Sequence, residues 1–424
     1  MGARLLKLPP GIYIPTLYFI EGLPYTMVTM MSIVWFKNFG VSNAYVGEVT
    51  TLLSLPWTLK LLWAPLVDTY GTRRKWILVL HVVLGILSAV LAAVSLIPHS
   101  AADIITVFAV MAFASATQDV AIDGYYMDVL GKEQQALYVG FRNAAYKIAW
   151  LIGSGAMIYM VGAISEHHGI PSGWSASFGL CAFLFFAAAA FHNAVLPHSE
   201  ETHAQIDASA QSNALLKQFG SVFRTFFSQD HALIISLYIL TFRLGDALMM
   251  KMTQPFLIDP PNVGGLGISI EQLGIIYGTV GTIFLLIGGI TGSVIVARFS
   301  LRKVLMPAAI VQSAAILLYW GLAVLKPSLP MVACVNAAEQ FSYGLGTAAY
   351  TVYLMSTVKP EYKASHYAIA TGMMALGLLI PGYISGHLTN LGYPTFFLIS
   401  FFASIPGIIT IAFLPFKDDT KAQR

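Results

Sequence analysis

Two aspartates one helical turn apart form the most chemically informative stretch of the sequence. Asp119 and Asp123 stand in the run Gln-Asp-Val-Ala-Ile-Asp-Gly-Tyr-Tyr, inside an apolar segment. Residues four apart share one face of a helix, and Tyr126 extends that face. Two carboxylates held close together in a medium of low dielectric repel each other, which favours protonation of one of them. Such a carboxyl group could carry a proton. The alternative is a structural network of both aspartates with basic residues.

Basic residues within other apolar segments could complete such a network. Arg142 and Lys147 could neutralise the two aspartates or hold the carboxylates of a cargo. A charge at membrane depth costs at least a few kcal/mol unless it faces a cavity or a partner. Arg243 and Asp246, three residues apart, could bridge each other. Alternatively, Arg243 could bind an anionic substrate while the nearby charge of Asp246 modulates the arginine. The sequence leaves both interpretations open.

Two glutamates and two tryptophans are further candidates. Glu21 stands beside a glycine and a proline, and it could contact cargo or a proton or be a buried, hydrogen-bonded carboxyl. Glu339 begins a stretch of small residues that allow helices to approach closely, so it could serve packing instead of cargo contact. Trp57 and Trp150 lie deep in their segments, where they could touch a sugar ring or a peptide.

The sequence offers no pattern for ATP hydrolysis, metal binding or enzymatic catalysis. It has no glycine-rich phosphate loop and no zinc spacing, and its two cysteines fall inside apolar segments. We find no intramembrane nucleophile–base pair. We therefore predict a protein that is not an enzyme, needs no cofactor beyond a proton gradient and binds no nucleic acid. The rival classes are a membrane enzyme, which would need such a catalytic set, and a sensor, which would need a sizeable soluble domain.

Long apolar segments must position these residues. Charged residues make up 10% of the chain and hydrophobic residues 57%, whereas a soluble domain is roughly a quarter charged. Apolar segments of about 20 residues can cross a bilayer, and they must be helical because lipid cannot satisfy backbone polar groups. We predict twelve membrane-spanning helices, called spans 1 to 12, at residues 11–36, 44–67, 76–98, 102–129, 137–163, 174–196, 230–257, 270–297, 304–326, 329–358, 363–388 and 393–415.

The spans fall into two halves. A polar linker at 197–229 separates a six-helix bundle within 1–196 from another at 230–415, and a tail follows at 416–424. This outline predicts an all-α membrane protein of the major facilitator fold. Sixteen of the 23 Lys and Arg residues lie in one set of alternate loops and two in the opposite set. By the positive-inside rule, both termini and the linker are expected in the cytoplasm.

Corresponding loops of the two halves share a charged motif. Asp68, Arg73 and Arg74 lie between spans 2 and 3, and Arg298 and Arg302 lie between spans 8 and 9. Asp68, at a helix end, could pair with an arginine or with a helix N-terminus in one access state only. These residues are therefore candidates for a latch that gates the cytoplasmic side. The alternative is ordinary topological charge.

Four segments resemble the AmpG-type muropeptide permeases, within the peptide/acetyl-CoA transporter group of the major facilitator superfamily. They are Leu-Pro-Trp-Thr-Leu-Lys-Leu-Leu-Trp-Ala-Pro-Leu-Val-Asp at 55–68, Ala-Thr-Gln-Asp-Val-Ala-Ile-Asp-Gly-Tyr at 116–125, Phe-Arg-Leu-Gly-Asp-Ala at 242–247 and Tyr-Gly-Leu-Gly-Thr-Ala-Ala-Tyr at 343–350. The segments lie in both halves, so the resemblance covers essentially the whole chain. Tyr126 departs from the pattern, because an arginine is expected at that position.

The resemblance implies proton-driven import of anhydromuropeptides, which are cell-wall fragments of a GlcNAc–anhydroMurNAc disaccharide and a short peptide, across a bacterial inner membrane. It also implies that Asp119, Asp123, Arg243 and Asp246 matter for transport. Acetyl-CoA carriers of the same group share the Gln-Asp-x-x-x-Asp-Gly signature. The alternative is therefore another anionic cargo, such as a peptide, a siderophore or an acyl-CoA.

Together these observations assign expected roles to fourteen residues. We expect a multi-pass, monomeric carrier in the lipid bilayer, in which two bundles rock around a midplane cavity that binds a small molecule. The residues expected to take the proton are Asp119, Asp123 and Glu21. Those expected to contact the cargo are Arg142, Lys147, Arg243, Asp246, Tyr126 and Glu339. The expected gating residues are Asp68, Arg73, Arg74, Arg298 and Arg302.

Overall fold

The computed structural model describes residues 8–97, 101–197, 223–357 and 363–416, and all regular structure within these ranges is helical. Ten of the helices found there are long and apolar enough to cross a membrane, by length and composition. Predicted spans 2 and 10 are not among the ten. Span 2 is divided into short pieces, and span 10 is one helix, Leu329–Ser356, in which polar residues such as Asn336 and Gln340 lower the mean hydropathy. Most of the predicted linker and nearly all of the tail lie outside the described residues.

The first half contains helical segments for each of spans 1 to 6. Spans 1 and 5 are each interrupted by a π-helical turn, and span 2 consists of three short α-helices and a 3-10 turn. The segments are α1 (Pro10–Thr26), a π turn (Met27–Met31), α2 (Ser32–Asn38), α3 (Asn43–Leu52), α4 (Leu55–Leu59), a 3-10 turn (Lys60–Leu62), α5 (Ala64–Thr69), α6 (Arg73–Val94), α7 (Ala101–Val129), α8 (Lys132–Leu151), a π turn (Ile152–Met157), α9 (Ile158–His168) and α10 (Ile170–Val195).

The second half contains segments for spans 7 to 12, after a short helical stretch at 223–227. Span 7 is broken in the middle, and span 8 has a π-helical turn. The segments are α11 (Ala232–Thr241), α12 (Leu244–Ile258), a 3-10 turn (Pro261–Val263), α13 (Ile270–Leu273), a π turn (Gly274–Gly281), α14 (Thr282–Phe299), α15 (Leu301–Leu325), α16 (Leu329–Ser356), α17 (Lys363–Leu388), a 3-10 turn (Thr389–Leu391) and α18 (Tyr393–Ile411).

Spans 2 and 7 are each interrupted, although span 7 as a whole, Ala232–Ile258, is long and apolar enough to cross a membrane. In span 2, Pro56 and Pro65 fall at the first positions of α4 and α5, where a missing backbone N–H costs little, so each proline starts a new helix. In span 7, α11 ends before Phe242 and Arg243, and α12 begins directly after them. Broken helices and π turns in membrane carriers occur where the backbone adapts to a binding site.

The chain divides into two compact units. Unit 1 consists of Met1–Val41, Val49–Ile206 and Ser269–Thr279, and unit 2 of Ser42–Glu48, Asp207–Ile268 and Val280–Arg424. Each unit therefore holds most of one half of the chain together with a short segment from the other half. The proposed limits of the bundles, the linker and the tail stay predictions.

Each unit positions its polar residues on a tightly packed helical frame. In unit 1, the buried His81 and His192 are joined by a hydrogen bond of 2.9 Å, and His192 meets Thr16 at 3.0 Å, which links spans 1, 3 and 6. In unit 2, α14 and α16 cross closely at Gly288 and Gly344, where an added Cβ would collide with the backbone of the neighbouring helix. The small residues of span 10 thus allow close helix packing, as expected for membrane helices.

Candidate functional site

In unit 1, four spans bring five ionisable side chains together in what we call the first-half cluster. Its members are Glu21 from span 1, Lys60 from span 2, Asp119 and Asp123 from span 4 and Arg142 from span 5. Lys60 forms an ion pair with Asp119, and the side chains are 27% and 16% exposed. Arg142 pairs with Asp123 at 3.3 Å between Nη2 and Oδ1. The two aspartates therefore share one helix face, as predicted, but each has its own cation.

Span 1 adds a phenol and a carboxyl to this cluster. Tyr18 donates a hydrogen bond of 2.8 Å from its hydroxyl to Asp123 Oδ1. Glu21, one turn closer to the middle of the span, is buried at 6% exposure and interacts electrostatically with Asp119. Its Oε2 has no hydrogen-bond partner among the described residues. A buried carboxyl oxygen without a hydrogen bond lowers the stability of the fold unless a proton or a ligand binds to it.

Arg142 is held in place by aromatic rings as well as by its carboxylate. Its guanidinium carbon lies 4.5 Å from the centre of the Tyr18 ring and 5.2 Å from that of Tyr126. The two rings meet edge to face at 5.9 Å. A guanidinium over aromatic faces gains cation–π attraction, which fixes its orientation. Tyr126, which stands where the family pattern leads us to expect an arginine, thus supports a different arginine. Lys147 is more exposed, and its Nζ lies 5.6 Å from the Trp150 ring.

The first residue of α6, in span 3, and the end of span 4 form a third ion pair in unit 1. Arg73 pairs with Asp128 and also donates a hydrogen bond of 3.2 Å to the carbonyl of Gly124. A Cβ at Gly124 would collide with the Arg73 guanidinium, so the glycine of the Gln-Asp-x-x-x-Asp-Gly motif leaves room for this arginine. Arg74 donates to the carbonyls of Asn193 and Leu196, at 2.6 and 3.1 Å, and so ties span 3 to the end of span 6.

The remaining gating candidates are Asp68, Arg298 and Arg302. The side chain of Asp68 lies outside the described side chains, so its predicted latch partner is not identified. Arg298 lies with its guanidinium carbon 5.5 Å from the ring of the adjacent Phe299. Arg302 is exposed in the first turn of α15. The gating role of all five residues stays a prediction.

In unit 2, the break in span 7 places Arg243 at the start of α12, with Asp246 in the first turn. Arg243 donates a hydrogen bond of 2.7 Å from Nη2 to the Thr347 hydroxyl, and its guanidinium carbon lies 5.2 Å from the Tyr343 ring and 5.6 Å from the Tyr350 ring. Its Nε has no hydrogen-bond partner in the part of the chain that the structure describes. This arginine is therefore held by neutral groups and has a donor to spare.

The carboxyl groups of unit 2 are also held by neutral side chains. Asp246 accepts a hydrogen bond from the Gln312 side chain, and Glu339 accepts one of 2.9 Å from Gln340. Asp246 and Glu339 are each 6% exposed. Within the described residues there is no ion pair between Arg243 and Asp246, so the structure gives each a separate partner. We call Arg243, Asp246 and Glu339 the second-half cluster.

Sequence reasoning missed Lys60 of the first-half cluster and several side chains that contact the charged groups. Lys60 was not named as a candidate, although an isolated cation amid apolar residues was the signal for an intramembrane pair. Gln312 was detectable as a lone amide in the apolar span 9. Asp128 lies at the end of the span 4 motif and was passed over. Thr347 and Tyr18 carried no signal, because hydroxyl groups are common in membrane helices.

Comparisons with known proteins agree with this architecture. The model of the Major Facilitator Superfamily matches residues 16–251 and 243–424. An anhydromuropeptide permease of Escherichia coli K12 is 27% identical over 415 residues, which cover 96% of this chain and 80% of the relative. An uncharacterised Haemophilus influenzae protein is also 27% identical, over 418 residues that cover 95% of this chain and 93% of that protein. The resemblance to AmpG-type permeases is thereby confirmed.

Solved structures confirm the fold. A D-xylose–proton symporter aligns with a TM-score of 0.72 at 10% identity, covering 97% of this chain and 98% of that one. A POT family transporter in complex with a thioalcohol-conjugated peptide aligns with a TM-score of 0.69 at 12% identity, with 95% of each chain covered. The predicted major facilitator fold is confirmed. The family match and the Escherichia coli relative, which is named a permease, support the prediction that the protein is not an enzyme. The location of the termini stays a prediction. The chain is a multi-pass membrane protein that belongs to the Major Facilitator Superfamily.

Proposed function

We propose that the protein is a proton-coupled secondary transporter that imports anhydromuropeptides across the inner membrane of a bacterium. The cargo is proposed from the Escherichia coli relative, which is named an anhydromuropeptide permease and aligns over nearly the whole chain. Such a cargo joins two sugar rings to a short peptide with free carboxylates. A carrier for it needs cations to bind the carboxylates and a titratable group to couple uptake to the proton gradient.

The charge balance of the first-half cluster carries the proposal of proton coupling. Three carboxyl groups, of Glu21, Asp119 and Asp123, face two cations, of Lys60 and Arg142, so the ionised cluster has one negative charge in excess. An uncompensated charge at membrane depth is unfavourable. Binding of one proton would make the cluster neutral. Uptake and release of that proton during the cycle would couple the gradient to transport.

Two arginines are the proposed anchors for the cargo carboxylates, each within its own unit. Arg142 is 28% exposed and shares its charge with Asp123. Arg243 is buried, but its Nε has no hydrogen-bond partner within the described residues. A guanidinium can hold a carboxylate through two parallel hydrogen bonds. The monomeric state and the role of Lys147, Tyr126 and Glu339 at the cargo stay part of this proposal.

The test is uptake of labelled anhydromuropeptide into proteoliposomes with and without an imposed pH gradient. We expect the gradient to stimulate uptake by the native protein. Asp123→Asn should remove that stimulation, because the cluster then holds two carboxyl groups and two cations and needs no proton. Glu166→Gln is the matched control, since Glu166 is an exposed acid outside the cluster.

Two results would contradict the proposal. Equal uptake with and without the gradient in the native protein would remove proton coupling. If peptides or acyl-CoA inhibited the uptake but unlabelled anhydromuropeptide did not, the cargo would be another anionic molecule and not an anhydromuropeptide.

A further inference from the structure

Three aromatic side chains of unit 1 pack around Tyr25, and these four residues form what we call the aromatic cluster. The Tyr25 ring lies 4.9 Å from Trp57, at an interplanar angle of 81°, and 5.8 Å from Trp150. Tyr146 lies 6.3 Å from Tyr25. Spans 1, 2 and 5 each contribute at least one ring. The two deep tryptophans of the sequence therefore meet at a single tyrosine.

The aromatic cluster is one helical turn away from the first-half cluster along the same three spans. Residues three or four apart on a helix lie on the same face. This spacing holds for Tyr25 after Glu21, for Trp57 before Lys60 and for Tyr146 after Arg142. Each span thus presents a charged side chain and, one turn along, an aromatic side chain. The rings form a second layer beside the charges.

The rings of this layer differ in exposure from the structural aromatics of unit 1. Trp35 and Trp174 are fully buried, as expected for side chains that only fill a core. Tyr25, Trp57, Tyr146 and Trp150 are all half-buried, although the other three rings each contact Tyr25 from three spans in total. Parts of the ring surfaces are therefore left uncovered next to a group of carboxylates and cations.

Half-buried rings beside carboxylates suit a pyranose sugar. The C–H face of a pyranose ring is apolar and covers an aromatic face well, which removes apolar surface from water. The polarised C–H groups also meet the negative face of the aromatic ring. The hydroxyl and amide groups at the edge of the sugar need hydrogen-bond acceptors, which carboxylates such as Glu21 and Asp119 supply.

We propose that the aromatic cluster is a sugar subsite that stacks against an N-acetylated pyranose ring of the cargo. This inference rests on the proposed function, because it divides the cargo into a sugar part, held by the rings, and a carboxylate part, held by the arginines. Trp57 and Trp150 are the stacking residues. Tyr25 holds them in position through ring contacts, and Tyr146 packs against Tyr25.

The test measures binding of the peptide-free disaccharide GlcNAc–anhydroMurNAc to the purified protein by calorimetry. We expect Trp57→Ala and Trp150→Ala each to weaken disaccharide binding about tenfold, which corresponds to about 1.4 kcal/mol for one lost stacking contact. Trp57→Phe keeps a ring and should lose less than about threefold. Trp320→Ala is the matched control, because Trp320 is 38% exposed on span 9 of unit 2.

A parallel measurement separates the subsite from the proposed function. Inhibition of anhydromuropeptide uptake by the free peptide should be unchanged in Trp57→Ala. Unchanged disaccharide affinity in both alanine variants, in protein that still imports the muropeptide, would overturn the subsite alone. Failure of the native protein to bind the disaccharide would overturn the subsite directly. Failure to import the muropeptide while the disaccharide still binds at the tryptophans would overturn the proposed cargo and leave the sugar subsite standing.

Discussion

The first-half cluster contains two ion pairs, Lys60 with Asp119 and Arg142 with Asp123, whereas the charged residues of the second-half cluster are each held by a neutral side chain. The side chains of the two ion pairs are also more exposed: Asp123 is 39% exposed, and Asp246 only 6%. An ion pair near water can exchange one partner for a proton or a ligand. A charge that neutral groups hold in a buried position keeps its state more firmly.

This difference suggests a division of labour between the two halves. The cluster with an excess carboxyl group and accessible pairs is suited to a change of protonation during the cycle. The buried Arg243, stacked near Tyr343 and Tyr350, is suited to hold a fixed positive charge toward an anion. Three experiments test this comparison, in order of expected effect.

The largest effect is expected for the Lys60–Asp119 pair. Lys60→Met leaves Asp119 at membrane depth without its cation, and loss of one partner of a largely buried pair costs about 3 kcal/mol. We expect a clear drop in the unfolding temperature and a loss of uptake of at least about 100-fold. The double variant Lys60→Met/Asp119→Asn should regain most of the stability, because it buries no unpaired charge, but little of the transport.

The matched comparison for this experiment is the hydrogen bond from Gln312 to Asp246 of the second-half cluster. Gln312→Met removes the hydrogen bond to Asp246, and the expected stability loss is smaller, about 1–3 kcal/mol. If Lys60→Met proved no more destabilising than Gln312→Met, the distinction between paired and neutrally held charges would be lost.

The second experiment compares the two arginines. Arg243→Lys keeps the charge but loses the planar guanidinium and its fit to Thr347 and the tyrosine rings. We expect about a tenfold rise in KM for uptake with a smaller change in kcat, since a buried anchor for a carboxylate acts mainly on binding. Arg142→Lys should in addition weaken the stimulation by the pH gradient, because Arg142 also pairs with Asp123. Equal changes in both variants, in both measurements, would argue against different roles for the two halves.

Much of the fold follows from the sequence, for definite physical reasons. Apolar length, the polar linker and the asymmetric placement of basic residues are each strong signals, because the bilayer admits few structures. The breaks in spans 2 and 7 could not be located in this way. Pro56 and Pro65 indicated a disturbed span 2, but a proline can kink a membrane helix or end it. Nothing in the residues Phe242 and Arg243 signals a helix end.

The candidate site was predictable in its charges but not in its pairs. Asp119, Asp123 and Arg142 were found from their types and spacing, whereas the cation on Asp119 is Lys60, from a span 59 residues earlier. Such a partner depends on which helices neighbour each other, and periodicity carries no information on that. The same limit applies to Gln312 at Asp246 and to Trp57 at Tyr25. Local spacing identifies candidates, and tertiary packing decides their contacts.

The smallest effects are expected at two glycines that make room for polar side chains. A Cβ at Gly124 would collide with the Arg73 guanidinium, and a Cβ at Gly346 would collide with the Gln312 side chain that binds Asp246. Both alanine variants should lower stability by about 1–2 kcal/mol, since inserting a methyl group into a packed contact forces side chains to shift. The measurement is thermal unfolding in detergent. Gly321→Ala is the control, because no atom lies within 4 Å of its added Cβ.

These two glycines also sharpen the comparison of the halves. Gln312 has a flexible side chain that can move away from an alanine at 346, so Gly346→Ala should act mainly by loosening Asp246. The guanidinium of Arg73 is held through Nη1 by two acceptors, the Asp128 carboxylate and the Gly124 carbonyl, so it has less freedom to adjust. We therefore expect Gly124→Ala to be the more damaging of the two. The opposite order would mean that the hydrogen bond between Gln312 and Asp246 tolerates an added methyl group less well than the Arg73–Asp128 ion pair does, and that the flexibility of the glutamine side chain does not protect it.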